Sequence, residues 1–164
     1  MNAVDFLQKK IADGWIRGVK GNEYKEDLIS GDATAVIAWS GDLFQLSTEN
    51  EGKFDFAIPE SGGTISGDNF LIPSTVTAES KVNAEKLINY YYEPAVAAEV
   101  AAYVNYVTPV QGAQAEMEKI DPTLAKSEYI FPTQATMTRL HVFKALTPAE
   151  ETKWTEAFQA AAGN

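Results

Sequence analysis

Apolar residues fall at two spacings along the chain, and the change between them divides it. Val4, Leu7, Ile11 and Trp15 recur at helical spacing and predict an amphipathic helix over about 2–14, with Gly14 and Gly18 at its end. Asn22 is a candidate N-cap for a second short helix carrying Tyr24, Leu28 and Ile29, which Gly31 stops. The run 33–39 (ATAVIAW) is apolar, rich in β-formers and bounded by turn residues, so it predicts a buried strand followed by a helix over 41–48. Residues 53–58 (KFDFAI) alternate and end at Pro59, predicting another strand. A turn at 60–63 then leads to short strand candidates at 64–66 and 69–72.

Helical spacing dominates the remainder. Ala84, Leu87, Ile88 and Tyr91 predict a helix over 79–92, which Pro94 breaks while itself opening a further helix through Val96, Val100, Tyr103 and Val104. Short helical pieces are expected at 111–118 and 121–127. The last helix has the clearest start: Thr147 as cap, Pro148 in the first turn and Glu150 completing a capping box, with Gly163 at its end. Strands alternating with helices and then helices alone predict α/β units with a thin sheet.

Charge narrows the chemistry. There are 23 acidic against 13 basic residues, a net charge of −10. With no basic patch to neutralise phosphates, a nucleic-acid partner is excluded. The excess carboxylate suits a cationic ligand, though it equally serves to solvate helix faces. No cysteine is present, so disulfides, thiolate zinc sites and lipid attachment through cysteine are excluded. The first residues show no basic and apolar leader pattern, and no stretch approaches the ~18 apolar residues of a membrane span. His141 is the only histidine, which excludes a His-rich metal site. Gly62, Gly63 and Gly67 lack the strand-to-helix setting of a dinucleotide loop, and no glycine stands two residues before Ser40 as a nucleophile elbow requires. The sequence therefore predicts no enzyme and no cofactor.

Six segments in order carry a resemblance: GNEYKEDLISGD at 21–32, AVIAWSGD at 35–42, FAIPESGG at 56–63, GDNFLIP at 67–73, AEKLINYYYEP at 84–94 and VNYVTP at 104–109. In sequence and spacing they resemble the C-terminal portion of bacterial spermidine/putrescine-binding proteins, the solute-binding components of ABC importers. The resemblance implies a type II periplasmic-binding α/β fold, in which two lobes hold the ligand between them. It places residues 1–66 in the second lobe, 67–108 as a strand and helices of the first lobe, and 109–164 as helices returning to the second. It also implies an N-terminal lobe carrying further ligand carboxylates outside this chain, an extracytoplasmic location, and ABC permease subunits as partners.

A polyamine presents ammonium groups on a methylene chain, so its site needs carboxylates for the charges and aromatic faces for the methylenes. Taken alone, Asp68 is a turn aspartate capping its own backbone, Trp39 a core side chain at a strand end, and Tyr106 a helix-end side chain packed on a hinge. The resemblance makes Asp68 the carboxylate that pairs with a ligand ammonium, and Trp39 and Tyr106 the rings that line the ligand. Ser66 stands where the family often has a tryptophan, which implies a smaller, more polar wall and a different amine or solute. Residues 131–146 match poorly and contribute no site residue. A stand-alone interaction or regulatory module built on the same lobe remains the second reading of the sequence.

Overall fold

The computed structural model describes residues 3–163. Along the chain these form α1 (Ala3–Ala12), α2 (Tyr24–Ser30), α3 (Ser40–Glu49), β1 (Gly63–Thr64), α4 (Ala78–Tyr91), α5 (Pro94–Val104), α6 (Ala113–Ile120), a 3-10 turn at Leu124–Lys126, α7 (Gln134–Met137), β2 (Leu140–His141) and α8 (Pro148–Ala162). The described residues divide into two compact units, 3–38 with 144–163 and 39–143.

In the first unit α1 packs against α8. Val4, Leu7 and Ile11 form the half-buried stripe of α1. Trp15 does not continue it: the helix ends at Ala12, Gly14 takes a left-handed φ of 76°, and Trp15 is exposed. The amides of Gly14 and Trp15 bond back to the carbonyls of Ile11 and Lys10, a Schellman ending that only the glycine accommodates without strain. Lys10 lies over the rings of both Phe6 and Trp15. Helix α2 buries Tyr24 and Leu28 but leaves Ile29 exposed, and it is preceded by Glu23 rather than capped by Asn22. Helix α8 starts as its sequence dictates. The Thr147 hydroxyl accepts from the Glu150 amide, and the Glu150 carboxylate accepts from the Thr147 amide at 2.9 Å.

The expected buried strand at 33–39 is not formed. Residues 33–38 carry no regular secondary structure and pair with no described strand, and Ile37 is fully exposed. An apolar β-forming run becomes a strand only when a neighbouring strand takes up its N–H and C=O groups in a ladder, and among the described residues none does. The same holds for 53–58 and 69–72. At 53–58 the alternation survives as burial: Phe54, Phe56 and Ile58 are half-buried, while Lys53, Asp55 and Ala57 are exposed.

In the second unit the core lies between α5, α6 and the 3-10 turn. It consists of Ala97, Ala98, Ala101, Ala113, Met117, Ala125 and Ile130, with Met117 and Ile130 fully buried. The sequence stripe through Val96, Val100 and Tyr103 misplaces this face: the alanines turn inward and Tyr103 outward. Alanine's small side chain lets the helices approach closely, so the face with the smaller side chains carries the contact. Gln114 donates to the Ala125 carbonyl at 2.9 Å, and the Asp121 carboxylate accepts from the Thr123 and Leu124 amides, which fixes the turn. Helix α4 presents Ala84, Ile88 and Tyr91 half-buried and leaves Leu87 exposed. Strands β1 and β2 form a two-residue parallel ladder, Gly63 opposite Leu140 and Thr64 opposite His141. Arg139 secures the loop before it, donating to the carbonyls of Ile58 and Pro59 at 3.1 and 3.4 Å.

Candidate functional site

All four residues singled out in the sequence lie in the second unit. Trp39 is the N-cap of α3, with extended backbone, and its carbonyl accepts from the Leu43 amide at 3.2 Å. The residue is about half accessible, at 55%. It is therefore no core tryptophan.

Tyr106 reaches the same helix terminus from 64 positions further along the chain. Helix α5 ends at Asn105, which is buried, adopts a left-handed φ of 60° and donates from Nδ2 to the Ala102 carbonyl at 2.9 Å. Asparagine tolerates this conformation better than other non-glycine residues, and the reversal sends the next residue out of the helical path. The Tyr106 ring lies against the backbone of Gly41, so closely that a Cβ there would overlap ring carbons. Its hydroxyl donates to Asp42 Oδ1 at 3.1 Å. Burial raises the pKa of the phenol above its ordinary value, and the hydrogen bond to Asp42 raises it further.

Trp39, Gly41, Asp42 and Tyr106 thus form one cluster at the start of α3. The structure brings Trp39 and Tyr106 to this terminus. It adds Gly41 and Asp42, which the sequence places at the start of a helix over 41–48 without giving them a role in the site. The asparagine standing just past a helical run at 105 was the one local signal that the chain reverses before Tyr106.

Ser66 and Asp68 lie elsewhere in this unit, on the exposed segment between β1 and α4. Neither side chain makes a hydrogen bond or ion pair with a described residue, and the expected turn cap on Asp68 is not made. Its neighbour Asn69 makes the local bond instead, to the Gly67 carbonyl at 3.4 Å. Phe70, two residues on, packs edge-to-face on Tyr91 with ring centroids 5.0 Å apart, and Tyr91 packs in turn on Tyr92. The carboxylate of Asp68 is therefore exposed and makes no bond with a described residue.

A second aromatic group lies around Tyr129. Phe44 and Phe56 pack on its ring at 5.7 and 5.8 Å, and its hydroxyl donates to Asp55 Oδ1 at 3.1 Å. It ties α3 to the extended segment after it. Among the described residues, no group of three or more His, Asp or Glu side chains is placed to hold a metal, and no helix is long and apolar enough to cross a membrane. A shallow hollow along α8, lined by Pro148, Glu151, Thr152, Thr155 and Glu156, contains none of the candidate residues.

Residues 2–133 match the model of the bacterial extracellular solute-binding protein family, and the chain belongs to that family. The matched stretch contains Trp39, Ser66, Asp68 and Tyr106 and excludes α7, β2 and α8. Among curated proteins, the chain is 27% identical over 138 residues to the putrescine-binding periplasmic protein PotF of Escherichia coli, which covers 81% of this chain and 36% of that protein. It is 29% identical over 118 residues to the spermidine/putrescine-binding periplasmic protein of Salmonella typhimurium, covering 72% of this chain and 31% of the relative. Over 130 residues it is 25% identical to the putrescine-binding periplasmic protein SpuD of Pseudomonas aeruginosa, covering 76% and 34%. The chain spans about a third of the length of each of these relatives.

Proposed function

We propose that this chain forms part of the ligand site of an extracytoplasmic polyamine receptor that serves an ABC importer. Asp68 supplies a carboxylate to a ligand ammonium, and Trp39 and Tyr106 supply faces for the methylene chain. The remaining carboxylates come from a further lobe, and the permease subunits of the importer are the receptor's partners. The observation that carries the reading is Asp68: an exposed carboxylate with no hydrogen bond or ion pair to a described residue, in a chain whose relatives are named for putrescine and spermidine. A carboxylate that the fold does not use is open to pair with a ligand charge. Ser66 favours a variation on this reading, in which the wall beside Asp68 is small and polar and the preferred amine is correspondingly short or carries a polar substituent.

The test is a ligand panel on the full gene product that carries this sequence, read by thermal shift. Putrescine, cadaverine, spermidine, lysine and a neutral sugar should separate into stabilising amines and inert controls. A ligand at a hundred times its Kd stabilises by about 2.7 kcal/mol, several degrees in melting temperature. A shift with the sugar and none with any amine would contradict the proposal.

A further inference from the structure

Asp68 makes no bond of its own with a described residue, so its place is set by the backbone that leads to it. That backbone is held on both sides of a turn by residues 139–141. Before the turn, Arg139 Nη1 donates to the Ile58 carbonyl at 3.1 Å and to the Pro59 carbonyl at 3.4 Å. After it, the Gly63 amide donates to the Arg139 carbonyl at 3.1 Å and the Ile65 amide to the His141 carbonyl at 3.0 Å. Between these bonds Gly62 takes a φ of 100°, and a Cβ there would overlap the Arg139 carbonyl oxygen. Ser66 follows directly on the last of these bonds and Asp68 stands two residues further on.

We propose that Arg139 is a positioning residue of the amine site: it fixes residues 58–65, and thereby the place from which segment 66–68 presents its carboxylate to a ligand ammonium. The inference rests on the reading of Asp68 as the partner of a ligand charge. It brings to the site a stretch from which the resemblance supplied no residue, and which lies beyond the matched residues 2–133.

The chemistry of the strut supports this role. A guanidinium matches a carboxylate best, yet half-buried Arg139 makes no ion pair with a described residue and gives its charge-assisted bonds to two backbone carbonyls. It is braced in turn. Its amide donates to the Thr136 carbonyl at 3.0 Å, and the hydroxyl of buried Thr136 donates to Glu128 Oε2 at 2.9 Å. A ligand that pairs with a carboxylate on loose backbone must also order that backbone, and each residue ordered costs on the order of a 10-fold loss of affinity. Backbone already held by Arg139 and the ladder spares the ligand that cost.

The experiment uses the full gene product with 15N-labelled aspartate, the Asp68 amide resonance being assigned by its loss in Asp68→Asn. Without any ligand, Arg139→Ala should move that resonance and lower its heteronuclear NOE, the mark of faster backbone motion. Arg139→Lys, which keeps a charged donor, should restore both in part. A resonance unmoved by Arg139→Ala overturns the proposal. Calorimetry with putrescine, below the melting temperature of every variant, gives the functional arm. Arg139→Ala should weaken binding about 10-fold and Arg139→Lys by less. In the Asp68→Asn background Arg139→Ala should cost less than about 2-fold. Equal losses in both backgrounds would mean that Arg139 does not act through Asp68, and the proposal falls. Where Arg139→Ala fails to fold, Gly62→Ala displaces the same contact and is read in the same way; an unmoved Asp68 amide there overturns the proposal as well. No amine binding by the unaltered protein overturns the receptor reading and the role of Arg139 within it. Amine binding with an unmoved Asp68 amide overturns the role of Arg139 alone.

Discussion

Gly41 shows how a single missing side chain shapes the candidate site. The Tyr106 ring occupies the volume where any Cβ at position 41 would stand. Gly41→Ala must therefore displace the ring or shift the start of α3, and overpacking of this kind costs about 1–3 kcal/mol. The expected outcome is a lower melting temperature together with a moved Tyr106 ring resonance, both measurable without ligand. A substitution that leaves both unchanged would show that the ring does not rest on this backbone. None of this was legible in the sequence, where Gly41-Asp42 reads as a turn and Tyr106 as the end of a helix. Asp42 and Tyr106 stand 64 positions apart, and no local periodicity reports a contact across that distance. Asp68 is the opposite case. Its short-range reading, a turn aspartate bonded to its own backbone, is replaced by an exposed carboxylate that makes no hydrogen bond to a described residue.

At the scale of elements, what the sequence revealed depended on whether the signal was local. The start of α8 is wholly local, and the capping box stands as its residues dictate. It also carries a pH dependence. Bonds from the Thr147 amide and hydroxyl hold Glu150 below its ordinary pKa of 4.5. A carboxylate whose folded pKa is depressed stabilises the fold above its unfolded value, and that contribution is lost as pH falls through the folded pKa. Fraying of α8 should therefore begin only below the ordinary glutamate range. Thr147→Ala should return the Glu150 titration toward 4.5, as followed by carboxyl NMR; an unchanged midpoint would refute the assignment. The strands fared worse because pairing is non-local. An apolar run at 33–39 carries the composition of a strand, yet only β1 and β2 form a ladder among the described residues. Helix α5 was found, but its inward face was not. Hydrophobicity ranks valine and tyrosine above alanine, while the close approach to α6 selects alanine. The core there hangs on Met117, which is fully buried. Met117→Ala should cost about 2–5 kcal/mol in chemical denaturation, and a loss under about 1 kcal/mol would place the core elsewhere.

For the whole molecule, membership of the solute-binding family rests on residues 2–133, and the curated relatives are about three times as long as the stretch they share with this chain. Trp39, Asp42 and Tyr106 gather at one helix terminus, while Ser66 and Asp68 stand on a separate exposed segment. The net charge of −10 adds a general attraction for cations that weakens with salt. It cannot select one amine from another, so selectivity must come from placed groups. Of these, Asp68 is the one that the account assigns directly to a ligand charge. The most direct test is calorimetric titration of putrescine and spermidine into the full gene product and into its Asp68→Asn variant at equal ionic strength. Saturable amine binding should weaken at least about 10-fold in Asp68→Asn while melting temperature stays unchanged, since the carboxylate has no partner among the described residues. Amine binding of equal strength in both proteins would contradict that assignment.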